Sequence, residues 1–170
     1  FKKIKSDSNF LFVDPQGFLR QKDSNNNIIL KKTDLDLSDV NAIKINPEEG
    51  QNIVSGSHDE MMLALQKKGI EYVLLTNKAD VSLLVKNRVY SLKLPNKNTH
   101  DTTGIGDIFC SAFTCTMLKE KDFLWALCFA AGSAQAALES TNVGLQKIPK
   151  KGMVENNASY FYNLVDFRDL

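Results

Sequence analysis

The chain has 170 residues, 43% of them hydrophobic and 24% charged, with a formal net charge of +1. That length suits one compact domain with a real core and is too short for two ordinary ones. The balanced charge creates no field for nucleic acid or an anionic membrane, and no apolar run is long enough to cross a bilayer.

In chain order, Phe10 to Asp14 reads as a short buried strand stopped by Pro15 and Gly17. Asp23 to Asn27 is a polar turn, and Ala42 to Asn46 is a second strand that ends in a loop at Pro47. From Ser57 an N-cap, early acids, late lysines and Gly69 mark out a helix. Glu71 to Thr76 is a continuous apolar strand. Val81 to Val85 and Arg88 to Leu92 flank Lys86-Asn87 as the arms of a hairpin. Two long helical segments follow. In the first, Ile108, Ala112 and Cys115 share one face, with Phe109, Phe113 and Met117 beside them. In the second, Leu124, Leu127, Ala131, Ala134 and Leu138 recur at helical spacing, with Gly132 and Ser133 suited to close packing against a sheet. A last helix is expected over Gly152 to Val165. Strands alternating with helices predict an α/β layered domain with a largely parallel sheet.

Cys110, Cys115 and Cys128 fall in helix-like sequence without a C-x-x-C pair, and His58 and His100 lie far apart. These spacings argue against zinc and for buried free thiols in a reducing cytoplasm. The opening FKKIKSDSNF has no signal-peptide core, and Phe1 is not an initiator Met, so the chain is expected to begin partway through a gene product or to have been trimmed.

The chemistry concentrates in Asp101-Thr102-Thr103-Gly104-Ile105-Gly106-Asp107, which runs into a helix expected over Ile108 to Leu118. Two glycines at a loop-to-helix junction let backbone approach a ligand, and the unpaired first-turn amides and positive dipole end seat an anion. A carboxylate beside a phosphate repels it unless it has a proton to take. Asp107 therefore fits the base of a phosphoryl transfer, and the Gly104, Ile105 and Gly106 amides fit a charge-stabilising pocket. On its own, G-x-G-D before a helix also reads as a plain cap. There is no G-x-x-x-x-G-K-[ST] loop and no complete dinucleotide fingerprint.

DTTGIGDIFCSAF resembles the second signature of the ribokinase-like (PfkB) carbohydrate kinases, usually DTTGAGD followed by an apolar helix. Further stretches match in order: VDPQGFLR, Asn46-Pro47-Glu48-Glu49 as the N-x-x-E motif, Thr76 at a strand end, and Thr141 to Gly144 with Ile148-Pro149 as the closing loop. The resemblance covers nearly the whole chain. It implies a three-layer ribokinase-like α/β fold in which residues 1–170 form a single partial domain, the nucleotide-binding half, with the amino-terminal half and lid missing. The implied activity is transfer of the ATP γ-phosphoryl to a hydroxyl of a sugar, polyol or nucleoside. A kinase of a vitamin-like alcohol and an inactive nucleotide-binding module are the alternatives.

By the same resemblance Asp107 deprotonates the acceptor, and Gly104, Ile105 and Gly106 form the anion hole. Asn46 and Glu49 act near the phosphates and Mg2+, Glu49 through water, which suits an ion that keeps much of its hydration shell. Asp101 and the Thr103 carbonyl, with the loop from Ser140 to Gly144, would hold a monovalent cation such as K+. Adenine would lie between that loop and the helix around Ala131 to Gln135. Expected partners are ATP and a small hydroxyl substrate, with no nucleic acid or membrane, and a homodimer through the absent lid. One motif departs: T-x-G-x-x-G reads Thr76-Asn77-Lys78-Ala79-Asp80-Val81, so both glycines are gone. Lys78 then either meets phosphate as a compact cation or stands in solvent on a shifted loop.

Overall fold

The computed structural model describes residues 1–77, 80–95 and 101–170. The elements are α1 (Lys2–Ser6), β1 (Phe12–Val13), α2 (Gln16–Leu19), β2 (Arg20–Lys22), β3 (Ile28–Leu30), β4 (Ala42–Ile45), α3 (Pro47–Ile53), α4 (His58–Lys67), β5 (Tyr72–Asn77), β6 (Asp80–Val85), β7 (Arg88–Lys93), α5 (Ile105–Glu120), α6 (Phe123–Leu138), a 3-10 turn at Gly144–Lys147, α7 (Lys151–Tyr162) and β8 (Asp166–Asp169). Six strands form one sheet in the order β1-β4-β5-β6-β7-β8, and β2 and β3 form a separate antiparallel pair. β4 pairs in parallel with β1 and with β5, as the alternating pattern predicts. The α/β class with a mainly parallel sheet holds.

Contacts divide the chain into two compact units. The first comprises Phe1–Lys78, Ser82–Val89 and Phe167–Leu170; the second comprises Ala79–Val81 and Tyr90–Asp166. The first is built on β4, whose four residues are all buried, because a parallel strand covered on both faces has no polar side to show. Ile43, Ile45, Met61, Leu65, Val73 and Leu75 belong to its core. Lys44, in the same strand, is buried but carries its charge to Asp14 at 2.6 Å, since a buried ammonium needs a partner. α4 starts on the Ser57 capping box with Glu60 and stops before Gly69, whose φ of +102° takes the chain out of the helix. Lys86 and Asn87 both have positive φ, 48° and 63°, the geometry of a two-residue hairpin whose twist matches its arms.

In the second unit α6 packs against both α5 and α7. Phe109, Phe113 and Met117 form the buried stripe of α5. Gly132 in α6 serves a different purpose from the one its sequence context suggests. It meets helix α7 rather than a sheet, and an added Cβ would stand 2.9 Å from both the Ala158 amide nitrogen and the Val154 carbonyl oxygen. Those neighbours are backbone, so the helices must part. Gly132→Ala is expected to destabilise the protein by roughly 1–3 kcal/mol in urea unfolding.

Several features differ from the sequence reading. Helix α3 starts at Pro47, where a loop was expected, because Pro47 takes the first helical position after the Asn46 cap. β2 and β3 are absent from it, because RQK and IIL are exposed and short, without an alternating face. β8 follows α7 just past the helix expected to end at Val165, where no strand was expected; Arg88 holds it through Asp169 at 2.6 Å and by stacking over Phe167. Only Cys128 is a buried thiol, whereas Cys110 is half-buried and Cys115 is exposed on the face it shares with Ile108 and Ala112, which is not packed into the core. Burial, with the nearby charge of Asp122, pushes the Cys128 thiol up to about 12. Among the described residues no helix is long and apolar enough to cross a membrane.

Candidate functional site

The second unit holds a cavity of about 900 Å3, within the range of small-molecule sites. One wall is the α5 face of Asp107, Ile108, Ser111, Ala112 and Cys115. Phe129 and Ser133 of α6 add to it, and the loop after α6 contributes Val143, Gly144, Leu145, Lys147, Ile148 and Pro149. The cavity thus explains why the Ile108-Ala112-Cys115 face is apolar without being core. Leu145 is 85% exposed, and Val143 and Ile148 are also exposed. Three large apolar side chains on one loop, turned to a cavity, suit a flat apolar ligand better than water.

The Asp101 to Asp107 loop borders the same cavity through Asp101, Thr103, Gly104 and Asp107. Helix α5 begins at Ile105, three residues earlier than expected, with Gly104 as N-cap. Gly104 has φ +78°, and a Cβ there would meet nothing within 4 Å, so the glycine is needed for backbone conformation rather than for space. Gly106 and Asp107 therefore lie in the first turn. The Ile105 amide donates to the Thr102 carbonyl at 3.3 Å and the Ile108 amide to the Gly104 carbonyl at 3.0 Å. The amides of Gly104, Gly106 and Asp107 have no hydrogen-bond partner among the described residues. Sequence reading named the Gly104, Ile105 and Gly106 amides; the geometry adds that of Asp107 and leaves Ile105 partly engaged. The Asp107 side chain is exposed on the first turn, where a carboxylate is also favoured by the helix dipole.

Asp101 shapes the loop. Its Oδ1 accepts the Thr103 amide at 2.9 Å, and its Oδ2 accepts Lys147 Nζ at 3.1 Å. Hydrogen bonds from Thr103, and then from Lys147, hold the Asp101 carboxyl down at about 2, below the usual 3.8. A lowered folded-state value means this contribution is complete above the ordinary value and is lost as pH falls through about 2. Acid titration followed by NMR should therefore shift the Thr103 amide near pH 2 rather than near 3.8, and Asp101→Asn should abolish that step.

Lys147 is the residue that sequence reading missed. It is 3% exposed on a loop whose residues 141–146 are exposed. No sequence signal distinguishes it from an ordinary solvated loop lysine. Ser140 Oγ accepts the Asn142 amide at 3.1 Å, and Gly144 has φ +59° at the start of the 3-10 turn. Of the stretch expected to face adenine, Ala131 to Gln135, only Ser133 lines the cavity.

The remaining expected residues belong to the first unit. Asn46 and Glu49 come together as the capping box of α3: Asn46 Oδ1 accepts the Glu49 amide at 2.8 Å, and Glu49 Oε2 accepts the Asn46 amide at 2.9 Å. Glu49 is buried and keeps one carboxylate oxygen outside the box. Thr76 sits near the end of β5 with its hydroxyl 3.5 Å from the Ile45 carbonyl. Lys78 lies outside the described residues, while Val81 is buried in β6. No cluster of three or more His, Cys, Asp or Glu side chains suited to a metal occurs among the described residues.

A model of the pfkB family of carbohydrate kinases matches residues 19–151. The chain belongs to that family. No curated protein is significantly similar to this pfkB-family chain in sequence. Among solved structures, it is similar to a pyrophosphate-dependent myo-inositol kinase at 18% identity, over 95% of this chain and 57% of that one, with a TM-score of 0.75. Ribokinase from Thermotoga maritima matches at 18% identity over 92% and 52% of the two chains, with a TM-score of 0.70. Arabidopsis thaliana ribokinase, solved with ribose and ATP, matches at 19% identity over 92% and 50%, with a TM-score of 0.67. At such identities the likeness establishes the ribokinase fold. The pfkB-family chain spans a little over half the length of the first of these structures.

Proposed function

We propose that the chain is the nucleotide-binding, catalytic part of an ATP-dependent kinase that phosphorylates a hydroxyl of a sugar, polyol or nucleoside. The observation that carries this reading is one cavity bordered both by the apolar Val143, Leu145 and Ile148 and by Gly104 and Asp107 at the start of α5. An apolar wall suits a purine. The unpaired Gly104, Gly106 and Asp107 amides suit the negative charge of a transferring phosphoryl group. Asp107 takes the proton as the acceptor oxygen forms its bond to phosphorus, and the bond from phosphorus to the donor's bridging oxygen breaks to release the diphosphate.

By the motif, Asn46 would act near the donor phosphates and Glu49 would reach a hydrated magnesium ion through a bridging water. The ion would supply charge neutralisation at the donor phosphates. A single free carboxylate oxygen fits that water-bridged mode and not an all-protein cage.

Pyrophosphate is the competing donor, since a similar structure is that of a pyrophosphate-dependent kinase. It has no base to place on Val143, Leu145 and Ile148. Phosphoryl transfer by the complete protein, followed by phosphorus NMR with either donor over a panel of sugars, polyols, nucleosides and vitamin-like alcohols, separates the readings. Transfer from ATP to a sugar-like hydroxyl is expected. Transfer only from pyrophosphate, or from neither donor with every acceptor, contradicts the proposal.

A further inference from the structure

We infer that the Lys147 ammonium is a built-in monovalent cation beneath the anion loop, so that this site works without potassium. The inference rests on the kinase reading for its functional meaning and on this chain's own geometry for its cation. The oxygens the motif would offer to potassium include the Asp101 carboxylate and the Thr103 carbonyl. Both already face Lys147: Nζ lies 2.7 Å from the Asp101 carbonyl oxygen, 3.1 Å from Asp101 Oδ2 and 3.3 Å from the Thr103 carbonyl oxygen. An ammonium has three protons and no acceptor, and here it finds three acceptors. Burying it to 3% exposure within an otherwise exposed loop is costly unless it is paired in this way. A second cation on the same oxygens would stand within a few ångströms of the first, where like charges repel strongly out of bulk water. Potassium therefore does not fit this cage.

The consequence reaches the anion seat through peptide geometry. No peptide bond among the described residues is cis, and in a trans peptide the carbonyl and the following amide point in opposite directions. Fixing the Thr103 carbonyl on Lys147 thus turns the Gly104 amide away from it and leaves that amide free for an anion. Lys147 is a positioning residue: it acts through the Thr103–Gly104 peptide and not on the reacting atoms. Its tether keeps the cation in place at any salt composition.

The test compares the complete protein in potassium chloride and choline chloride at equal ionic strength, reading thermal melting and MgATP affinity. Wild type is expected to melt at the same temperature in both, with affinities equal within about twofold. A wild type stabilised by potassium, or binding MgATP about tenfold tighter in it, overturns the inference. Lys147→Ala, which opens the cage, should melt lower in choline and recover in potassium. Lys147→Met, which keeps the stem's bulk without charge, should melt lower in both. Lys147→Ala melting equally low in both salts, or unchanged in both, also overturns it. If Lys147→Ala does not fold, the wild-type comparison and Lys147→Met still decide. Absence of MgATP binding in either salt would instead defeat the kinase reading, and the melting comparison would continue to report on the cation.

Discussion

If the proposed activity holds, Asp107→Asn is expected to lower the turnover number of the complete protein by roughly 10²–10⁴-fold, the usual contribution of a positioned general base. The substitution keeps the size of the side chain and its place on the first turn of α5. It removes the carboxylate that would accept the hydroxyl proton. Donor affinity should hold or improve, because the lost charge repelled phosphate. A purely structural role predicts the opposite pattern. Asp107 favours the helix dipole, so its loss would cost only about 0.3–1 kcal/mol of stability, with turnover nearly intact. Single-turnover kinetics beside a urea melt separate the two.

Gly104→Ala should have the next largest effect and a different signature. The Cβ has room, since nothing lies within 4 Å, so no clash arises. What fails is the backbone: a left-handed conformation at φ +78° costs a non-glycine residue roughly 1–2 kcal/mol. Relaxing that strain rotates the Gly104 amide, and losing one preorganised donor to developing charge lowers turnover by about 10²–10³-fold. Turnover should therefore fall much further than stability. Equal small losses in both would mean that the Gly104 amide is not part of the anion seat.

Where the two periodicities are strong, the sequence is readable. β4, α4, β5 and the Lys86-Asn87 hairpin lie close to their expected positions, because a buried run, a capping box and a two-residue turn are local signals. The Asp101 to Asp107 element was legible for the same reason, as a glycine pair before an apolar helix. β8 was not, since an exposed DFRD segment is held by Arg88, 81 residues away from Asp169. Lys147 was not, since its partners Asp101 and Thr103 lie 46 and 44 residues earlier. Gly132 was legible as a close-packing residue, but its partner, α7, was not. In each case the missing information is which distant segment arrives, and propensity does not carry it.

The cavity beside Asp107 is expected to seat a nucleotide. Calorimetric titration of the protein with MgATP, alongside Leu145→Asp, tests it most directly. One saturable site in the wild type, lost in Leu145→Asp and retained in Asp107→Asn, is the predicted result. No heat of binding in the wild type, or undiminished binding in Leu145→Asp, would rule out a nucleotide in this cavity.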